Sequence, residues 1–362
     1  TESGPHVTLG EPEDIPTGEY RARLWPASHE FRIEAALVTN PAYDPRSGRA
    51  FYQGFDSLQV LDLESGQILD SFTVDGNLED LVYHPDTGML VGADYENGRL
   101  LVVDPDTGDV VATGDNSETL VARGDPSVPD DHRNQPWQWV VLPDSGLLYA
   151  IDYRGSVEVL DPTTADVVDR AQVELPTPAQ PEPFVGPGLS VNPATGEVLL
   201  GRSVYPPSGE PFGVLFTIDP VGHQVTNLIE IPAQPQGSGG LNASANVIWS
   251  ASCMPGAERD ADVDSCGLRV EAYDLSTAEV QQRLARPELG LRWDSGQVLA
   301  VDETHGRVFV LSADNVLVLD ATTADVVGEL AESGTLLPGR GGTNVGLVLD
   351  PDGDAYLFRL SE

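Results

Sequence analysis

The stretch from Arg123 to Trp139, RGDPSVPDDHRNQPWQW, brings together side chains that commonly recognise a ligand. It carries His132, Arg133 and Trp137 within a few residues of each other. Tryptophan and arginine are the favoured anchors of recognition sites, and the planar guanidinium pairs well with carboxylates and phosphates. Trp137 and Trp139 alternate, however, and two alternating tryptophans are equally typical of a strand that packs in the core. Trp139 is better explained as core, and Trp137 remains open.

Other residues extend this candidate site. Arg292 and Trp293 resemble the first stretch in type and are expected to begin a later repeat, and Arg340 lies in a glycine-rich segment. Such a basic, aromatic patch on an acidic chain would suit an anionic or planar ligand. Two carboxylate and tyrosine pairs are further candidates for ligand binding: Asp94, Tyr95, Asp152 and Tyr153. The alternative for both aspartates is a structural one, in which they cap strand ends through local backbone hydrogen bonds.

The acidic run Asp260, Asp262 and Asp264 has the spacing of a calcium loop, and calcium is the one candidate cofactor. Glu271 falls where a twelfth-position ligand would stand, but it lies in a predicted strand. Ser265 also replaces the glycine that the sharp turn of such a loop requires. A solvated acidic loop therefore explains the run better than a metal site. Histidines are spread over different turns and predict no zinc cluster.

A repeated unit must position these residues. Residues 80–113 contain four short apolar runs, and turns such as His84 to Gly88 and Asp104 to Gly108 separate them in pairs. Proline and glycine in these turns favour hairpins closed by a left-handed glycine and a bulge, so the unit is a four-stranded antiparallel sheet. Seven first-hairpin turns and six second-hairpin turns recur along the chain. This pattern predicts an all-β fold, a seven-bladed β-propeller of four-stranded antiparallel blades. We expect the N-terminal runs Tyr20–Leu24 and Phe31–Ala35 to complete the C-terminal blade.

A resemblance to a known repeat family supports the same fold. Leu148 to Asp152, followed by Ser156 to Asp161, resembles the YVTN-type β-propeller repeat, in which a Tyr-Val-Ala/Thr-Asn strand end precedes a Ser-Val-x-Val-Ile-Asp strand. The chain departs from the family at its asparagine. The residues at that place are Gly54, Asp94, Asp152, Arg202, Ser252 and Ser312. The resemblance implies the propeller architecture and a family that includes binding proteins.

Composition narrows the functions that the chain can perform. The 58 acidic and 19 basic residues give a formal charge of −39, which repels nucleic acid and anionic membrane surfaces. The chain has no lysine, which excludes Schiff-base, pyridoxal-phosphate and Walker A chemistry. Cys253 and Cys266 lie in one insertion and are expected to form a disulfide. A disulfide indicates an oxidising location, so we expect a secreted, periplasmic or cell-surface protein.

The hairpin turns are short, whereas the long insertions fall between blades or between the second and third strands. One face of a propeller collects all the insertions, and binding residues concentrate on such loops. The sequence also predicts a flexible acidic leader over 1–16 and a single propeller domain over 17–362. We expect a monomeric, non-catalytic binding protein that holds a small-molecule or protein ligand at the channel mouth.

Two alternative functions remain open at this stage. One is a metal-dependent hydrolase or lactonase resembling the calcium-dependent gluconolactonase propellers, for which Glu79, Asn40, Asn344 and Asp294 lie near the starts of inner strands. The other is a cell-surface adhesion or scaffold propeller. No catalytic residue is assigned.

Overall fold

A computed structural model describes the strands and tight turns of the repeat. The residues that it describes are 28–33, 41–54, 57–76, 78–94, 96–114, 139–142, 145–151, 157–171, 173, 188–192, 195–204, 212–231, 241–244, 246–253, 265–277, 279–292, 297–312, 316–330, 345–349 and 355–360. The predicted leader lies outside them.

The described residues form six four-stranded antiparallel sheets, numbered here as blades one to six, and one three-stranded closing sheet. The first strand, β1, is Ser28–Ile33. Blades one to three contain β2 Ala42–Asp44, β3 Arg49–Gln53, β4 Leu58–Asp62, β5 Gln67–Phe72; β6 Leu78–His84, β7 Met89–Asp94, β8 Arg99–Val103, β9 Val110–Gly114; β10 Trp139–Val141, β11 Leu148–Ile151, β12 Val157–Leu160, β13 Val167–Ala171.

Blades four to six follow in the same order, and the last two strands belong to the closing sheet. Blades four to six contain β14 Gly188–Val191, β15 Val198–Val204, β16 Phe212–Ile218, β17 Val225–Ile231; β18 Leu241–Ser244, β19 Val247–Cys253, β20 Ser265–Asp274, β21 Val280–Arg292; β22 Gln297–Asp302, β23 Arg307–Leu311, β24 Val316–Asp320, β25 Val326–Leu330. The final strands are β26 Val345–Leu349 and β27 Ala355–Leu360.

The architecture is a β-propeller, but the predicted number of seven four-stranded blades is wrong. Six blades are four-stranded, and the closing sheet has the strand order β1-β27-β26. Its N-terminal strand differs from the prediction, because β1 lies directly on β27 and runs parallel to it, with Ser28 opposite Ala355 and Ile33 opposite Leu360. A parallel strand satisfies the backbone groups along an edge as an antiparallel one does, so no intervening strand is needed here. The run at 20–24 lies outside the described residues.

The same turn chemistry closes hairpin after hairpin. Asp104, Asp161, Asp274 and Asp320 each accept a hydrogen bond from the backbone N–H two residues later, at 2.8 Å. Each blade also has a register shift between its third and fourth strands, beside this aspartate turn. Such a bulge twists the outer strand away from the ladder. The predicted bulged hairpins are therefore confirmed.

The core lies between neighbouring blades rather than inside any one of them. Third strands such as β24 are buried almost throughout, whereas the outer strand β5 is almost wholly exposed. One apolar cluster joins blades three and four through residues such as Tyr149, Val159 and Phe216. Other clusters join blades one and two, two and three, and five and six. Within the described part of the chain, no helix has the length and apolar character of a membrane span.

Candidate functional site

The hairpin connections divide the propeller into two unlike faces. The tight-turn face carries the connections from first to second and from third to fourth strands, such as 45–48 and 303–306. The loop face carries the connections between blades and between second and third strands, including 115–138 and 254–264. The structure thus has the one-sided distribution of long connections that the sequence predicted. Two insertions, predicted over 252–267 and 285–296, are shorter than expected, because β20 begins at Ser265 and β21 continues to Arg292.

Most of the predicted site lies outside the described residues. This applies to His132, Arg133, Trp137, Tyr95, Asp152, Tyr153, Trp293, Arg340, Asp260, Asp262 and Asp264, and to Asn40, Asn344 and Asp294 of the hydrolase alternative. Arg292 is described only in its backbone, and its predicted position was wrong. It is the last residue of β21 in blade five, where it pairs with Ser265, and it does not begin blade six.

Asp94 is the one candidate whose side chain is described, and it is fully buried at the end of β7. Its carboxylate accepts a hydrogen bond from the Asn97 backbone N–H at 3.3 Å and from the Asn97 amide at 2.8 Å. Arg99 Nε donates to the same carboxylate at 2.9 Å. These contacts agree with the structural interpretation of Asp94, since all of them fix the local turn between β7 and β8.

The tight-turn face is tied together from blade to blade. Tyr149 in blade three contacts His223 Nδ1 and the Pro220 carbonyl in the second-hairpin turn of blade four. Burial raises the pKa of the Tyr149 hydroxyl, so the group stays protonated and can donate. His84 in blade two contacts the Gly146 carbonyl of blade three at 2.6 Å. These contacts hold the histidines in structural roles.

A buried ionic cluster, which the sequence analysis missed, lies on the blade-five side of the boundary with blade four. Glu271 in β20 is fully buried and pairs with Arg269 on its own strand. Arg283 Nε on β21 donates to the other carboxylate oxygen at 2.6 Å, and the Tyr273 hydroxyl also donates to Glu271. Burial alone would raise the pKa of this carboxyl, but hydrogen bonds from Arg269 and Tyr273 and the charge of Arg269 bring the pKa below its ordinary value of 4.5. The pairing keeps Glu271 ionised, so it is not a free calcium ligand.

Blade three carries a related pair at the same repeat position. Glu158 in β12 is fully buried and accepts a hydrogen bond from Arg170 Nε at 2.8 Å. Blade one has Gln59 there, which donates to Ser71 at 2.8 Å. Each of these residues contacts its cross-strand partner on the outer strand. Blades two, four and six place Leu101, Phe216 and Leu317 at this position, so polar and apolar residues alternate around the propeller.

A sequence signal for these pairs exists. The polar residue stands three positions before the turn aspartate. Its partner comes twelve residues after the polar residue itself, as in Glu158 and Arg170 or Glu271 and Arg283. An acidic residue inside an apolar third strand, with an arginine at that spacing, indicates a cross-strand ion pair. Among the described residues, no group of three or more His, Cys, Asp or Glu side chains is arranged to hold a metal ion.

Comparison with known proteins supports the fold. No family model matches the chain, and no curated protein matches it. The structure resembles hydrazine synthase of Kuenenia stuttgartiensis with a TM-score of 0.57 and 14% identity, over 91% of this chain and 98% of that one. It also resembles BamB from Moraxella catarrhalis with a TM-score of 0.50 and 15% identity, over 87% of this chain and 80% of that one. At these identities the likeness extends to the fold alone.

Proposed function

We propose that this chain is a non-catalytic binding propeller that holds its ligand at the channel mouth on the loop face. The observation that carries the proposal is the difference between the two faces. Short hairpin turns, tied to one another by contacts such as His84 to the Gly146 carbonyl, occupy the tight-turn face. The longer connections lie on the other face, where a rigid scaffold can present them to a ligand.

The ligand would contact the connections that flank the channel. The connection at 115–138 is the strongest candidate, because it contains Arg133 and Trp137 and leads into the inner strand β10. Arg292 ends the outermost strand of blade five, away from the channel, and is not part of this proposed site. An arginine and tryptophan pair on a strongly acidic chain favours an anionic or planar ligand. Asp94 is better explained as a structural residue, for the reasons given above.

We further propose a secreted, periplasmic or cell-surface location and kinship with YVTN-type repeats. Cys253 pairs in backbone register with Leu268, two residues after Cys266, so the two cysteines lie near each other on the hairpin of β19 and β20. The bond itself remains a prediction. The strong negative charge suits a protein that remains soluble in a salty medium.

A ligand screen tests the proposed site. Anionic and aromatic metabolites would be screened by thermal shift, and each hit would be measured by calorimetry against the wild type and Trp137→Ala. We expect Trp137→Ala to weaken binding by about 2 kcal/mol, roughly 30-fold, with little change in Tm. Val221→Ala is the matched control, since Val221 is 84% exposed in a turn of the tight-turn face.

Equal losses in the two variants would count against the loop-face site. A large fall in Tm for Trp137→Ala with unchanged affinity would show that Trp137 is a core residue. Repeating the screen with calcium distinguishes the binding protein from the hydrolase alternative. A calcium-dependent rise in Tm together with turnover of lactone hits would favour the hydrolase.

A further inference from the structure

Blades two and five place an arginine at the same point of the third strand. Arg99 and Arg269 each stand five residues before the turn aspartate of their blade, Asp104 and Asp274. Each pairs with a residue at the end of the second strand: Arg99 with Asp94, and Arg269 with Ser252. The two blades therefore carry an arginine at an equivalent position, and the residue opposite it differs between them.

In blade two the chain itself supplies the acceptor. Arg99 Nε donates to the Asp94 carboxylate at 2.9 Å, and Arg99 Nη2 donates to the Asp75 carbonyl at 2.8 Å. The guanidinium is thus neutralised by a buried carboxylate directly across the hairpin. This is a charge-assisted hydrogen bond, which is among the stronger contacts in proteins.

In blade five that carboxylate is missing. Arg269 Nη2 donates to Glu271, but Arg269 Nε is buried and has no hydrogen-bond partner among the described residues. Ser252, which stands where blade two has Asp94, is short and neutral. Ser250 lies two residues earlier on the same strand face and is 1% exposed, and its Oγ also has no partner within the described part of the chain. On this face of blade five, the residues that the structure describes thus offer no acceptor to two buried donors, which is costly unless another group accepts.

The surroundings favour a small negative group. Two arginines, Arg269 and Arg283, pair with one carboxylate, Glu271, so the formal charges sum to 2 − 1 = +1; Arg269 is 11% exposed and Arg283 is 56% exposed. The neighbouring face of blade four carries Leu199 and Leu215, which pack on Ile248 of blade five. The next residues on that face towards the loop face are the buried glycines Gly201 and Gly213, because side chains alternate along a strand. Because glycine has no side chain, these two positions contribute only backbone to the boundary with blade five.

We propose that a small monovalent anion binds between blades four and five and accepts hydrogen bonds from Arg269 Nε and Ser250 Oγ. The anion accepts a hydrogen bond from the arginine of blade five, as the Asp94 carboxylate accepts one from Arg99 in blade two. Its chemistry is that of a halide or of a short carboxylate such as formate or acetate. The proposal uses none of the loop residues of the proposed ligand site, so either can fail without the other.

Thermal unfolding in different anions tests this site. Tm would be measured at constant sodium concentration and ionic strength in chloride, bromide, formate or acetate, with gluconate as the bulky reference anion. We expect a saturable rise in Tm of about 2 °C with the small anions. A response to halides alone identifies an inorganic ion, and a response to formate and acetate alone identifies a carboxylate.

Two reciprocal substitutions separate this site from general salt effects. Ser252→Asp supplies the carboxylate internally, as blade two does, and should abolish the dependence of Tm on the anion. Asp94→Ser removes the carboxylate from blade two and should create a second site at which Tm depends on the anion. Ser250→Ala retains the fold of the strand and should weaken the apparent anion affinity by about 5-fold through the loss of one donor.

Crystals soaked in sodium bromide give the direct view. An anomalous peak within hydrogen-bond distance of Arg269 Nε and Ser250 Oγ in the wild type, and its absence in Ser252→Asp, would support the proposal. A water molecule only at these donors would overturn it. The same anion dependence in the wild type and in both Ser252→Asp and Ser250→Ala would overturn it as well.

Discussion

Blade four shows two unlike faces to its two neighbours. Towards blade three it presents an apolar surface, and its buried members there are Val214, Phe216 and Ile218. Towards blade five it presents Leu215 and Thr217, which lie on the side of Glu271 and Tyr273. The same backbone repeat thus builds a wholly apolar boundary on one side. On the other side an apolar cluster of Leu199, Leu215 and Ile248 lies beside the ionic cluster of blade five, and this side is called the ionic boundary below. The repeat determines which positions are buried, and the side chains determine what burial costs.

The two boundaries should respond differently to substitution. Apolar burial stabilises through the area removed from water and is insensitive to pH. A buried ion pair contributes little net stability, but the loss of one partner leaves an uncompensated charge behind. The apolar boundary should therefore be sensitive to volume, and the ionic boundary should be sensitive to charge.

The largest effect is expected at the apolar boundary. Phe216→Ala removes a side chain that is 1% exposed and leaves a cavity between blades three and four. We expect the free energy of unfolding to fall by about 3–5 kcal/mol. Urea denaturation measures it, with the exposed Val221→Ala as a control that should stay within about 0.5 kcal/mol of the wild type. A loss below 1 kcal/mol would mean that the two blades do not depend on this contact.

A charge change without a volume change should affect the ionic boundary next. Glu271→Gln keeps the shape but removes the partner of two arginines, and we expect a loss of about 2 kcal/mol. Glu158→Gln should cost less, about 1 kcal/mol, because Arg170 is 38% exposed and water can solvate it, whereas Glu271 also pairs with Arg269, which is only 11% exposed. Denaturation of both variants in the same buffer gives the comparison. Equal losses would remove the difference that we draw between blades three and five.

The pKa of Glu271 adds a dependence on pH. Because its folded-state pKa lies below the ordinary value of 4.5, the pairing contributes fully above that value and its contribution disappears as pH falls through the folded-state pKa. We therefore expect the stability advantage of the wild type over Glu271→Gln to be constant near neutral pH and to shrink below about pH 4.5. Taking the difference between variants cancels the titration of the many other carboxyls. An advantage that grows on acidification would contradict the assigned direction.

The smallest effect concerns a polar tie at the edge of the apolar boundary. Tyr149→Phe keeps the buried ring and removes the hydroxyl that contacts His223 and the Pro220 carbonyl. We expect a loss of about 0.5–1 kcal/mol, the net value of a hydrogen bond. Calorimetric unfolding would detect it, and a loss as large as that of Phe216→Ala would show that the hydroxyl is more than a local tie.

The sequence predicted the repeated elements because their signals are local. Aspartate turns such as Asp104 to Gly108 specify hairpins directly, so the strands and the two faces of the propeller could be predicted from the sequence. The closing sheet was harder, since β1 pairs with β27 from the far end of the chain and nothing local shows that it runs parallel. The ionic cluster was missed because Glu271 was considered only as a ligand of an acidic loop. Its arginine partners, Arg269 and Arg283, become neighbours only through strand pairing.

The most direct test of the account is a double-mutant cycle at the ionic boundary. The free energy of unfolding would be measured for the wild type, Glu271→Gln, Arg269→Gln and the double variant, at neutral pH and fixed chloride. If charge pairing stabilises blade five on this side, the losses of the two single variants together exceed the loss of the double variant, and the difference, the coupling energy, is about 2 kcal/mol. A coupling energy below about 0.5 kcal/mol, as for independent sites, would contradict it.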